Sequence, residues 1–250
     1  MVARAPRREV DPLDLVGLLW RDPAPSARSG ISTKSVTELA VAIADREGLD
    51  ALTIRRLAQE AGVTAMALYP HIGGRPQLIE LMLDAYAAQV YADGELPAAR
   101  DDWREAVRFI ATRNFDAARM HPWTLTVPAS RPVPGPGVVG KYQHELEAVE
   151  GIGLTDTEMD HTLTGILGLA HAAAQTQIGL DRARNETDRS DTDWWQQVGP
   201  ALATAMQGRE YPLAQRVGTA ASLAANASAD PQAALDYSIT LLLHGLEASR

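Results

Sequence analysis

Apolar residues recur at helical spacing along most of this chain, and nowhere do they alternate as a half-buried strand would require. Val36, Leu39, Ala40 and Ile43 share one face over Ser32–Glu47, and Gly48 ends that run. Ile54, Leu57, Ala58 and Ala61 form a shorter stripe, with Thr53 placed to cap it and Gly62 to stop it. Val63 follows, then Thr64 as the cap of a third helix over Ala65–Tyr69. A fourth opens at Arg75-Pro76, where proline suits a first turn, and runs to about Tyr91 with Ile79, Met82, Leu83, Tyr86 and Val90 inward.

Asp93-Gly94 and Pro97 punctuate the chain near residue 95. Asp101–Met120 then reads as a helix with Trp103, Val107 and Ile110 on one side, stopped by His121-Pro122. Pro122–Gly140 holds five prolines and three glycines, too many for a continuous helix, and Lys141–Glu150 resumes it until Gly151 and Gly153. Thr155-x-x-Glu158 is a capping box opening a long helix to about Arg182, striped by Met159, Leu163, Ile166, Leu167 and Ala170. Gly165, Gly168 and Ala172 leave a strip of small residues on that helix where another helix can approach closely. Residues 181–193 are charged and turn-rich and predict a loop, followed by helices over Asp193–Arg209 and Leu213–Leu223. Pro231 opens the last helix, striped by Leu235, Ile239, Leu242, Leu243 and Leu246. The expected fold is all-α.

Composition refines this picture. With 250 residues, 46% of them hydrophobic, the chain can bury a sizeable core. The absence of cysteine excludes disulfides, thiolate metal sites and a cysteine nucleophile. No run reaches the eighteen apolar residues of a membrane span, and the first thirty residues lack the apolar core of a signal peptide. A cytoplasmic location without membrane contact is therefore expected. Residues 1–30 carry Pro6, Pro12, Pro23 and Pro25 with five arginines, and read as a flexible arm with at most a short helical turn at Leu13–Trp20. Such an arm is either simply solvated, or its Arg21 and Arg28 follow a DNA backbone or minor groove. The net charge of −9 is unevenly spread. Residues 1–75 hold ten basic and nine acidic side chains, so the amino-terminal third is the only part that does not repel phosphate.

Two short helices joined by a tight turn around a glycine form a helix-turn-helix, whose second helix enters the DNA major groove. Leu52-Thr53, Arg55, Leu57-Ala58, Gly62-Val63, Leu68-Tyr69-x-His71 and the following Leu78–Met82 resemble the TetR-type transcriptional repressors over about forty residues. The resemblance implies a three-helix DNA-binding head over 31–77 and an effector-binding, dimerising body over 78–250. It also implies that Thr53, Tyr69 and Arg75 meet phosphates, while Arg55 and Thr64, Ala65, Met66 and Ala67 meet base edges. Their chemistry agrees: hydroxyls and guanidinium groups donate to phosphate, arginine pairs with guanine, and small apolar groups touch thymine methyls. His71 is open between phosphate contact and packing at the head–body junction. Pro70 and Gly73-Gly74 depart from the family's usual residues, which leaves fewer hydrogen bonds to the backbone of DNA.

In the body the resemblance narrows to the tetracycline-responsive subgroup. Ser130-Arg131-Pro132 resembles a Thr-Arg-Pro stretch beside its effector, and Leu235–Glu247 resembles its last dimerising helix. Val127, however, stands where that subgroup has a metal-ligating histidine, so a tetracycline–magnesium effector is not expected. A mainly apolar organic effector, needing neither metal nor cofactor, is expected beneath the proline-rich stretch. Candidate walls are Phe115, His121, Trp123, Arg131, Tyr142, Ile166, Ala170 and Gln175, each of which has packing or solvation as its ordinary alternative. Homodimerisation is expected through the long helix and the last one, at Gly165, Gly168, Ala172, Leu235, Ile239, Leu242 and Leu246, unless both stripes fill the subunit's own core.

Other functions leave thin traces. Gly135-Pro-Gly-Val-Val-Gly140 matches the dinucleotide-binding pattern, but no strand precedes it. His161 and His171 lie roughly 15 Å apart along a helix, too far to share a metal. A regulator that binds double-stranded operator DNA and a small-molecule effector is thus the expected function. The alternatives are an all-helical protein-binding adaptor or an enzyme acting on small molecules.

Overall fold

A computed structural model describes residues 12–21, 30–128, 131–225 and 227–248. Among them there are eleven α-helices and no strand. They are α1 (Pro12–Leu19), α2 (Thr33–Glu47), α3 (Ile54–Ala61), α4 (Ala65–Ile72), α5 (Arg75–Gln89), α6 (Trp103–Met120), α7 (Pro136–Glu147), α8 (Asp156–Thr187), α9 (Asp191–Met206), α10 (Pro212–Ala225) and α11 (Pro231–Ala248). Single 3-10 turns at Pro97–Ala99 and Pro122–Thr126 flank α6.

Helices α2 to α4 form the compact head. Ser32 caps α2 in a reciprocal box with Ser35, and Thr53 and Thr64 cap α3 and α4 through the N–H groups of Arg56 and Ala67. Gly62 sits at φ 67°, a left-handed conformation that glycine adopts without strain and that turns the chain sharply between α3 and α4. Val36, Ile43, Leu52, Leu57, Leu68 and Ile72 are fully buried together. That cluster does not stop at the expected boundary of residue 77. It continues through Leu78, Met82, Tyr86 and Tyr91 to Trp123, so α5 belongs to head and body alike.

The body core is separate. Val107, Ile110 and Phe115 of α6 pack with Leu163, Ile166 and Ala170 of α8 and with Leu235, Ile239 and Leu243 of α11. Helix α7 lies across α5 and joins the two clusters.

Four expectations shift. The amino-terminal segment is not wholly a solvated arm: Leu15, Leu18 and Leu19 of α1 are buried in the head cluster. Arg28 and Ser130 lie outside the described residues. Helix α4 runs to Ile72 despite Pro70, because burial of Ile72 and a bond from Gly73 N–H to the Tyr69 carbonyl close its last turn. Helix α7 begins at Pro136, not at Lys141, with the proline in its first turn. Helix α8 continues through the expected loop to Thr187, because Arg184 bonds both Asp181 and Asp191 across that stretch.

The glycines of the apparent dinucleotide pattern have a packing reason. A Cβ on Gly137 would lie 2.1 Å from the Asp84 carbonyl oxygen, and one on Gly135 would lie 2.2 Å from its Oδ1. Only glycine lets α7 start this close to α5. The buried Asp84 carboxylate then accepts the Val138 N–H at 2.9 Å, capping the helix.

Candidate DNA-binding head and effector-binding body

The head presents most of its expected DNA-facing residues outward. Thr53, Arg55, Thr64, Met66, Tyr69 and Arg75 are exposed, Met66 to 75%, while Ala65, Ala67 and His71 are half-buried. Met66 thus stands open on a helix whose opposite face, Leu68 and Ile72, is fully buried.

The arginines of the head divide into three kinds. Arg56 bonds Glu47 and Glu60, and Arg46 bonds the same two carboxylates, so this network is neutral overall. Its hydrogen bonds from Arg56 and Arg46 hold the Glu47 carboxyl down at about 2. Arg55 makes no hydrogen bond or ion pair among the described residues. Arg75 was expected to meet phosphate, but its Nε and Nη2 donate to the carbonyls of Leu52 and Leu49 at 3.1 Å each. Arg75 therefore braces the loop ahead of α3, which limits its reach to DNA.

His71 is half-buried, and burial lowers its pKa, with the Arg21 charge adding to the effect. The neutral form is favoured, which weakens it as a phosphate partner and fits the packing alternative.

The eight candidate effector residues do not line one cavity. Phe115, Ile166 and Ala170 are 1%, 0% and 0% exposed and form part of the body core. His121 and Trp123 sit instead at the head–body junction, where Nδ1 of His121 and Nε1 of Trp123 each lie 2.9 Å from Oδ1 of Asp45 on α2. Tyr142 is exposed and donates to Asp160 at 2.9 Å, and Arg131 and Gln175 are exposed. Val127 is partly buried against the head cluster as an ordinary apolar residue. Among the described residues no three His, Asp or Glu side chains are grouped for a metal ion.

The body holds a polar group that periodicity did not single out. Glu145 is 1% exposed, and its Oε1 accepts from Tyr91 Oη at 2.9 Å and Asn114 Nδ2 at 2.8 Å. Lys141 Nζ donates to its Oε2 at 2.8 Å. Burial and the adjacent Glu145 carboxylate push the Tyr91 hydroxyl well above its ordinary pKa. Near this cluster the Tyr86 hydroxyl is buried with no hydrogen-bond partner among the described residues. A buried hydroxyl left unpaired costs about 1–3 kcal/mol, so it marks a place where a further polar atom would be welcome. The Lys141/Glu145 spacing of four was the one sequence signal for this cluster.

The expected dimer residues also divide. Leu235 and Ile239 point into the subunit's own core, at 4% and 1% exposure, which corrects their assignment to a surface. Leu242 and Leu246 are half-buried, and a Cβ on Gly165 would lie 3.8 Å from Leu242 Cδ1 of the same chain. Gly165, Gly168 and Ala172 are exposed, as are Tyr237 and Leu241 on α11.

A cavity of about 930 Å³ opens between α9 and α10, lined by Trp195, Leu202, Met206, Tyr211 and Leu223 among others. A second, of about 670 Å³, lies where Asp45 and Arg46 of α2 face Arg119, Ile178 and Asp181. Neither contains a candidate effector residue.

Residues 96–250 match the family model for the tetracycline repressor-like C-terminal domain. The chain is 34% identical over 201 residues to the transcriptional repressor DrrR1 of Streptomyces coeruleorubidus, covering 78% of this chain and 73% of that protein. Its fold is similar to apo ActR of Streptomyces coelicolor, with a TM-score of 0.67 and 21% identity over 91% of this chain and 97% of that one. ActR in complex with actinorhodin gives the same TM-score and identity, over 88% of this chain and 98% of that one.

Proposed function

Because this chain belongs to the tetracycline repressor-like family of helix-turn-helix transcriptional regulators, we propose that it represses transcription as a homodimer released from an inverted-repeat operator by a small organic molecule. The carrying observation is the outward face of α4. Thr64, Met66 and Tyr69 stand open there on a helix whose inner face, Leu68 and Ile72, is fully buried. A two-fold dimer presents two such faces to successive major grooves, which requires an inverted repeat. Residues 31–77 act as the head and 78–250 as the body, with α5 shared between them.

Exposed Gly165, Gly168 and Ala172 of α8, with Leu241 and Tyr237 of α11, support these two helices as the pairing surface of a second copy. The effector acts within the body. A mainly apolar, metal-free molecule with at least one hydrogen-bonding oxygen suits the apolar surroundings of Tyr86, whose buried hydroxyl lacks a partner among the described residues. The complex of ActR with actinorhodin is a precedent for this fold. Release follows from linkage: the effector weakens operator binding by its differential affinity for the two arrangements of the heads. The protein acts on DNA in the cytoplasm, without catalysis, cofactor or membrane contact, and no helix among the described residues is long and apolar enough to cross a membrane.

Footprinting on the promoter region beside its own gene tests this. Two equivalent protected half-sites are expected, and one asymmetric half-site would refute the dimeric arrangement. Arg55→Ala should cost about 1–3 kcal/mol in operator binding and relax preference at one position in each half-site.

A further inference from the structure

Helix α1 lies outside the helix-turn-helix, yet it ends against the recognition helix. Leu15, Leu18 and Leu19 anchor it in the head cluster. The Trp20 Nε1 donates to the Pro134 carbonyl at 2.8 Å, which fixes its end against the loop ahead of α7. The next residue, Arg21, donates from Nη1 to the Pro70 carbonyl at 2.6 Å. That carbonyl is in the last turn of α4, where backbone donors run out. Gly73 N–H takes the Tyr69 carbonyl and Gly74 N–H takes that of Ile72, so Arg21 supplies the donor for Pro70.

Arg21 is exposed, and its guanidinium is held at the carbonyl of Pro70, the residue between Tyr69 and His71 in the chain. Burial lowers the pKa of His71, and the nearby Arg21 charge adds to that shift. Apart from Arg55, which is assigned to base edges, the cations of the head are already engaged. Lys34 faces Glu38 at 3.9 Å, Arg46 and Arg56 are tied to Glu47 and Glu60, and Arg75 is held by two carbonyls. Gly73 and Gly74 follow α4 without side chains.

We infer that Arg21 is a DNA-phosphate contact, supplied by α1 to the carboxyl-terminal end of the recognition helix. The Pro70 carbonyl occupies one N–H of the fork and anchors it, and the remaining N–H groups are left to donate to a phosphate. The inference rests on the proposed docking of α4 in the major groove, which brings Tyr69 to the backbone.

Counterion release separates a phosphate contact from a mere brace. Each phosphate neutralised adds about 0.9 to the slope of log K against log salt. The full chain is titrated by fluorescence anisotropy against a labelled 40-base-pair duplex of arbitrary sequence, over a series of potassium chloride concentrations. Arg21→Gln keeps a donor for the Pro70 carbonyl and removes the charge. Its slope should fall by about 0.9 for each bound subunit, with the same fall in Arg21→Ala and none in Arg21→Lys. Trp20→Phe, which loosens α1 without altering charge, should leave the slope unchanged. A wild-type slope in Arg21→Gln, whatever its affinity, would overturn the contact and leave Arg21 as a brace, with the DNA-binding reading intact. If the wild-type chain showed no salt-dependent binding at all, the DNA-binding reading would fail and the contact with it.

Discussion

The head and the α9–α10 hairpin are both made of helices of 8 to 16 residues, yet they stand at opposite extremes of self-sufficiency. In the head every helix gives its apolar stripe to its neighbours, and Leu52, Leu57, Leu68 and Ile72 are all fully buried. In the hairpin no residue is buried, and Trp194, Trp195, Leu202, Leu213, Val217 and Leu223 are all more than 40% exposed. Polar ties hold its ends: Asp191 accepts from Arg184 and from the Ser228 N–H, and Trp195 Nε1 donates to Ser228 Oγ. The same helical periodicity thus serves two ends. One set of stripes closes on itself, and the other remains as apolar surface available to a second molecule.

The largest expected effect tests that contrast directly. Leu68→Ala removes a fully buried side chain from the head and should cost about 2–5 kcal/mol, seen as a lower urea midpoint. Leu223→Ala in the hairpin, 77% exposed, should stay within about 0.5 kcal/mol in the same measurement at dilutions where the chain is monomeric. Equal losses at both sites would mean that the hairpin is packed within the subunit after all.

A second substitution sharpens the same point on α11. Leu241 is 54% exposed in the subunit, so Leu241→Arg should leave the monomer folded. In a dimer paired through α8 and α11 the new charge would be buried without a partner. Sedimentation should then give a monomer that has lost operator binding. A dimer that survives this change would move the interface elsewhere, with the exposed hairpin as the next surface to test.

Much of this architecture was legible in the sequence because short-range rules governed it. Thr53, Gly62 and Thr64 set the helix-turn-helix through caps and one left-handed turn, and the structure keeps α3 within the expected limits. Gly135 and Gly137 were not legible, since their need arises from Asp84 some fifty residues earlier, and local composition read them as irregular chain. The α1 segment was misread for the same reason: its leucines find partners only in the distant head cluster. Stripes also could not say which side of a leucine-rich helix faces home. Leu235 and Ile239 turn inward, while Leu241, one face away, does not. The buried polar cluster of the body was the least legible part, because Glu145, Tyr91 and Asn114 come together from distant parts of the chain, with only Lys141 signalling a partner by spacing.

The smallest effect is a pH dependence that distinguishes the head's surface from its seam with the body. Glu47, on the head, is held at about 2 by its hydrogen bonds to Arg56 and Arg46, below its ordinary 4.5. A carboxyl depressed in the folded state contributes stability above its unfolded pKa and loses it as the pH falls. That loss should run from about 4.5 down toward 2. Asp84, in the α5–α7 seam, behaves in the opposite sense, because burial raises its pKa above 3.8 despite the N–H groups of Val138 and Gly137. Its favourable contribution is complete below 3.8 and is lost as rising pH forces a buried charge. Thermal melts of wild type, Glu47→Gln and Asp84→Asn across the acid to neutral range separate the two. The deficit of Glu47→Gln should shrink on acidification below 4.5, whereas Asp84→Asn should match wild type in acid and gain on it as the pH rises past 3.8. A deficit in Asp84→Asn that grew with pH would show that the ionised carboxylate is needed to cap α7, and that the cap outweighs the cost of burying it.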